Sequence, residues 1–198
     1  TPPTLSNVSI ASNNATTTLA KANDDITLTF TASETITTPT VVFLSNGAAV
    51  ENSPTITNDA PSAPNDWNAQ YTTHANDQDG AVTFTISFSD SAGNAGTDVT
   101  DVSPGETTVS FDNTAPTLTE VTAITTPSNN TTPSYVFTSN EAGTLTTNIT
   151  QGVSTGTNII NGSNTVTFNT LPEGTYSSKT ITVTDAAGNA TSLTIPTF

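Results

Sequence analysis

The sequence predicts an all-β protein made of two successive β-sandwich domains. Three observations carry this prediction. Short runs rich in Thr, Val, Ile, Phe and Tyr alternate apolar with polar, the period of a half-buried strand. Turn residues interrupt these runs about every eight to twelve positions. A set of landmarks also occurs twice in the same order. No window has the period of a long amphipathic helix, and no apolar run approaches a membrane span.

The repeat fixes the domain organisation. Pro3-Thr4-Leu5 with Val8 matches Pro116-Thr117-Leu118 with Val121. Phe30-Thr31-Ala32-Ser33-Glu34 matches Phe137-Thr138-Ser139-Asn140-Glu141. Ser89-Asp90-Ser91-Ala92-Gly93-Asn94-Ala95 matches Thr184-Asp185-Ala186-Ala187-Gly188-Asn189-Ala190. The boundary falls in Phe111-Asp112-Asn113-Thr114-Ala115-Pro116, giving domains at 1–112 and 113–198. Phe198 then stands where Phe111 stands in the first copy.

Strands are predicted in the first copy over 4–10, 26–32, 40–44, 54–57, 67–73, 81–89 and 107–111. The clearest has Val82, Phe84, Ile86 and Phe88 on one face and Thr83, Thr85 and Ser87 on the other. In the second copy the matching runs are 134–139, 144–150, 165–169, 178–184 and 192–197. A long loop is expected over 58–66, with Trp67 beside it as a core anchor.

Composition narrows the function. Seventeen acids face two lysines and no Arg, a formal charge of −15. Nucleic acid needs a basic face, so it is excluded as a partner, and an anionic membrane is disfavoured for the same reason. A surplus of carboxylates suits a solvating surface or a hard-cation binder. There is no Cys and therefore no disulfide or thiolate site, which makes a metal one candidate for a staple. The start at Thr1-Pro2-Pro3 reads as a fragment whose targeting signal lies elsewhere.

Alternating strand direction sorts the loops to two poles. At the lower pole of the first copy this gathers Asp24 and Asp25, the loop holding Asp77 and Asp79, and the exit residues Asp112 and Asn113. At the upper pole of the second copy it places Glu141 and Asp185. The linker makes these poles adjacent, so Asp77, Asp79, Asp112, Asn113, Glu141 and Asp185 are the candidate metal ligands. Asp24, Asp25, Glu34 and Asp90 form a second tier. Several carboxylates with further oxygens are what Ca²⁺ takes. A plainer reading stands beside this one. Asp-x-x-Gly-Asn makes a good turn unaided, because Asp accepts backbone hydrogen bonds and Gly and Asn accept left-handed angles. Asp24 and Asp25 also read as the solvated start of an edge strand.

The Phe-Asp-Asn-Thr-Ala-Pro linker and the Thr-Asp-Ala-Ala-Gly-Asn-Ala hairpin resemble those of bacterial immunoglobulin-like repeats. Such repeats build the extender regions of giant adhesins, among them the RTX adhesins exported by type I secretion. The resemblance implies two tandem immunoglobulin-like β-sandwiches joined end to end, with Ca²⁺ stiffening the string. It carries the ligand role onto Asp112, Glu141 and Asp185. It further implies an extracellular location at a bacterial surface, a monomeric chain, and neighbouring repeats as the immediate partners.

Enzyme chemistry finds little support. His74 is the only His, at a strand end with no Gly-flanked nucleophile elbow. Lys21 and Lys179 are expected to be exposed. The sequence-level function is therefore a calcium-stiffened spacer of a surface adhesin, with the distal ligand bound by other domains. The alternatives are a carbohydrate- or protein-binding module using 58–66 and Trp67, or a linker in a secreted polysaccharide-degrading enzyme.

Overall fold

The computed structural model describes residues 1–59 and 63–198. Among the described residues every regular element is a strand, so the all-β class holds. The chain forms two compact units, Thr1–Asn113 and Thr114–Phe198.

The first unit contains β1 (Leu5–Ser12), β2 (Leu19–Ala20), β3 (Asp25–Ala32), β4 (Thr40–Ser45), β5 (Ala48–Ala49), β6 (Thr55–Asp59), β7 (Ala63–Thr72), β8 (Gly80–Ser87) and β9 (Val109–Phe111). These make two sheets, ordered β1-β3-β7-β6 and β2-β9-β8-β4-β5. All named pairs are antiparallel except β2 with β9, where Leu19 faces Ser110 and Ala20 faces Phe111. The alternation seen in the sequence sets the faces. Ile26, Leu28 and Phe30 of β3 and Val82, Phe84 and Ile86 of β8 are all buried in one core with Phe43, Trp67, Tyr71 and Phe111. Each such side chain contributes roughly 1.5–3 kcal/mol on burial. Asn46 and Gly47 join β4 to β5 at φ of 49° and 80°, the left-handed pair that a two-residue hairpin requires.

Three expectations change here. The loop over 58–66 is mostly strand, because Asn58 Nδ2 donates to Pro64 O and Asp66 O and ties β6 to β7; residues 60–62 lie outside the described set. Asp25 opens a central strand rather than an edge, since β3 lies between β1 and β7. Lys21 and Lys179 are half-buried rather than exposed.

The second unit contains β10 (Leu118–Thr122), β11 (Ser134–Ser139), β12 (Gly143–Thr147), β13 (Val153–Thr155), β14 (Asn158–Ile159), β15 (Gly162–Phe168), β16 (Lys179–Thr184) and β17 (Ala190–Ile195). Its sheets are ordered β10-β11-β15-β13 and β14-β12-β16-β17. A separate core gathers Tyr135, Phe137, Leu145, Val166, Phe168, Ile181, Val183 and Ile195. Beyond β17, Tyr176 and Phe198 exchange backbone hydrogen bonds (2.8 and 3.3 Å), and their rings stack at 5.1 Å. Phe198 thus continues the last ladder as Phe111 does in the first unit, where it faces Gly80.

Candidate metal centre

Backbone geometry brings the acidic loops of the first unit to one end. Asn23 N donates to Thr73 O, and Thr73 N donates to Asp24 O. Thr73 is buried and its Oγ1 donates to Lys21 O at 2.6 Å, which locks the approach to β3 against the end of β7. Ala22 N donates to Asn113 Oδ1 at 3.2 Å, and Asn113 N donates to Asp79 Oδ1 at 2.7 Å. So 21–25, Asp79 and Asn113 meet, as the alternation of strand direction predicts.

Most of these carboxylates carry structural hydrogen bonds. Asp77 is 7% exposed, and its two oxygens accept from Glu51 N (3.0 Å) and His74 N (2.8 Å). It caps the turn into β8 and pins that turn to the connection between β5 and β6. Asp24 Oδ2 accepts from Asn14 Nδ2 and Lys21 N, at 2.7 and 2.8 Å. Asp25 Oδ1 accepts from Thr72 Oγ1 at 2.7 Å. Glu34 is exposed. Trp67 is buried in the core, so it offers no outward ring for a sugar. His74 is exposed, and its Nδ1 accepts from Asn76 N at 3.2 Å.

The two Asp-x-x-Gly-Asn turns have one design. Asp90 Oδ1 accepts from Ala92 N (3.0 Å) and Asn94 N (2.8 Å), while Oδ2 accepts from Asn94 Nδ2 (2.7 Å). Asp185 Oδ1 accepts from Gly188 N (2.7 Å) and Asn189 N (2.9 Å), while Oδ2 accepts from Asn189 Nδ2 (3.0 Å). Gly93 and Gly188 supply φ near 90°. The Asn94 side chain, followed by the backbone N–H groups of Asn94 and Ala92, holds the Asp90 carboxyl below its ordinary pKa. The turn is therefore self-sufficient, as the plainer sequence reading has it.

One acidic pair stands apart in the second unit. A carboxylate oxygen of Glu141 lies within 4.8 Å of one of Asp185. Asp112 follows the buried Phe111 of β9, and its N–H donates to Ala20 O at 2.8 Å. Glu141 follows β11, where Ser139 Oγ accepts from Glu141 N and donates to Glu141 O. Asp185 follows β16 and heads its turn. Within the first unit Asp77 acts as a cap, Asp79 Oδ1 accepts from Asn113 N, and Asn113 Oδ1 accepts from Ala22 N.

Two carboxylates this close repel one another by roughly 1–4 kcal/mol at ~4 Å, depending on local dielectric. A divalent cation removes that repulsion. Oxygens around one Ca²⁺ sit about 2.3–2.6 Å from the ion, so opposed ligands are about 5 Å apart. Glu141 and Asp185 can contribute ligands to a metal ion, with the turn bonds to Asp185 left in place because each carboxylate oxygen has two lone pairs.

No family model and no curated protein matches the chain.

Proposed function

We propose that this chain is a calcium-stiffened spacer in a large bacterial surface adhesin, built from two immunoglobulin-like repeats. The observation that carries the proposal is the carboxylate pair of Glu141 and Asp185 in the second unit. The resemblance of the Phe-Asp-Asn-Thr-Ala-Pro linker adds Asp112 as the proposed third ligand, through which an ion would stiffen the linker. Sheet order supports the repeat assignment. The sequence β1-β3-β7-β6 corresponds to A-B-E-D of an immunoglobulin domain, and β9-β8-β4 corresponds to G-F-C. In the second unit β10-β11-β15-β13 and β12-β16-β17 take the same places. An extracellular setting follows from this reading, since millimolar Ca²⁺ outside the cell fills sites of modest affinity.

The test is thermal melting and small-angle scattering in Ca²⁺ and in chelator. Ca²⁺ at a hundredfold over Kd should add about 2.7 kcal/mol and raise Tm by several degrees. Asp112→Asn should abolish that increment while leaving the chelated Tm within about 1 °C of the parent. Equal Tm and equal maximum dimension in both buffers would sink the proposal.

A further inference from the structure

We infer that the second unit carries a groove for an extended peptide, which binds as a parallel strand beside Thr197. The evidence is a difference between the two units at one position. In the first unit the outer edge of the last strand is covered. Ser110 N donates to Thr18 O (2.9 Å), Asp112 N donates to Ala20 O (2.8 Å), and β2 runs parallel to β9. In the second unit β17 is the edge of its sheet, and among the described residues no strand pairs with its outer side. Phe198 bonds inward to Tyr176. In an antiparallel ladder the preceding residue, Thr197, then directs its N–H and C=O outward. Thr197 corresponds to Ser110, whose N–H takes the covering strand in the first unit.

A cavity of about 640 Å³ occupies this place, lined by Ile124, Leu171, Glu173, Tyr176, Thr197 and Phe198 among others. Ile124 and Leu171 are buried and form apolar walls. Thus an unused strand edge lies beside apolar pockets, which is the arrangement that strand addition uses: backbone bonds give affinity and alternate side chains give selectivity.

The occupant is defined by charge and by internal precedent. Glu173 is the single charged residue lining the cavity, in a chain of net charge −15. Acidic peptides are repelled, and a basic side chain is favoured at that end. The strand that fills this position in the first unit reads Leu-Ala, preceded by Thr18 and followed at once by Lys21. Ala20, at 0% exposure, shows the size of the side chain taken inward. The partner is therefore an uncharged extended segment with a small apolar residue followed by a Lys or Arg.

The probe is the heptapeptide Thr-Thr-Thr-Leu-Ala-Lys-Ala, which has the sequence of residues 16–22. It is titrated into the ¹⁵N-labelled full chain. Amide shifts confined to 124–133, 171–176 and Thr197–Phe198 are expected. Thr197→Pro, which deletes the outward N–H, should weaken binding about fivefold, the worth of one hydrogen bond. Glu173→Lys should weaken it severalfold and recover affinity toward the peptide with Lys replaced by Glu; this exposed change leaves the fold intact, so it decides the matter if the proline variant is unstable. The inference is overturned by an absence of shifts at millimolar peptide, by shifts elsewhere, or by charge reversal without effect. It is also overturned if the same amides shift with protein concentration alone, which would make a second copy the occupant, or with neutral oligosaccharide in place of peptide.

Discussion

Asp90 and Asp185 do the same local work, and Asp185 also has a Glu141 carboxylate oxygen within 4.8 Å. Each turn stands on its own hydrogen bonds. Asn94 and the adjacent N–H groups favour the ionised Asp90 carboxylate, so its folded pKa lies below its unfolded value. The stability it contributes is complete above the unfolded value near 3.8 and is lost as pH falls through the lower folded value. Asn94→Ala should weaken this dependence, since the backbone N–H bonds to Asp90 remain; acid titration of Tm in parent and variant, with Ca²⁺ absent, checks it. Unchanged acid slopes would show that the Asn94 bond does not stabilise the ion. The turn chemistry of both Asp residues was legible from Asp-x-x-Gly-Asn alone. Asp77 was not. Alternating acids before a Gly suggest a cation loop, and nothing in that spacing says that Asp77 turns inward to cap the N–H groups of His74 and Glu51. Its second partner is 26 residues away in sequence, beyond the reach of local pattern.

Strands with strict alternation were readable almost to the residue. The run over 134–139 is β11 as it stands, and 26–32 differs from β3 by one position. Their apolar faces must be buried, and a slip of one residue would turn every side chain outward. The strands that sequence reading missed are β2, β5, β10, β13 and β14, all but β10 two or three residues long. They are defined by pairing with a neighbour rather than by their own pattern. The stretch over 58–66 failed for a related reason: it is polar and holds two prolines, yet Asn58 stitches it into a hairpin. At this scale the close approaches are the weak points. A Cβ on Gly143 would lie 2.5 Å from Thr184 O, and one on Gly156, at φ 83°, would lie 2.4 Å from Thr165 O. In both cases the obstacle is backbone, so the strands must separate. Gly143→Ala and Gly156→Ala should each destabilise the second unit by about 1–3 kcal/mol, read by urea denaturation. A change below about 0.5 kcal/mol would mean that the sheet yields without loss.

Over the whole molecule, the two cores share no residue. Phe30 anchors one and Phe137 the other, both essentially buried. Truncation of either to Ala should cost about 3–5 kcal/mol. Calorimetry should show one of two transitions falling in each variant while the other stays in place; a joint shift would show that the units unfold as one. Charge is divided less evenly. Thirteen acids and one Lys lie in Thr1–Asn113, a net −12, against four acids and one Lys in Thr114–Phe198, a net −3. Added salt should therefore raise the first transition more than the second, because self-repulsion scales with the charge being screened.

The sole Trp has a practical meaning beyond packing. Trp67 is buried in the first core, and the second unit absorbs only through Tyr135 and Tyr176. Light at the red edge of protein absorption excites the indole and not the phenols, so emission reports on one half of the chain alone. Loss of order in the first unit can thus be watched without a dye, separately from the second, whereas Tyr71 of the first unit keeps the phenol signals from being specific to the second.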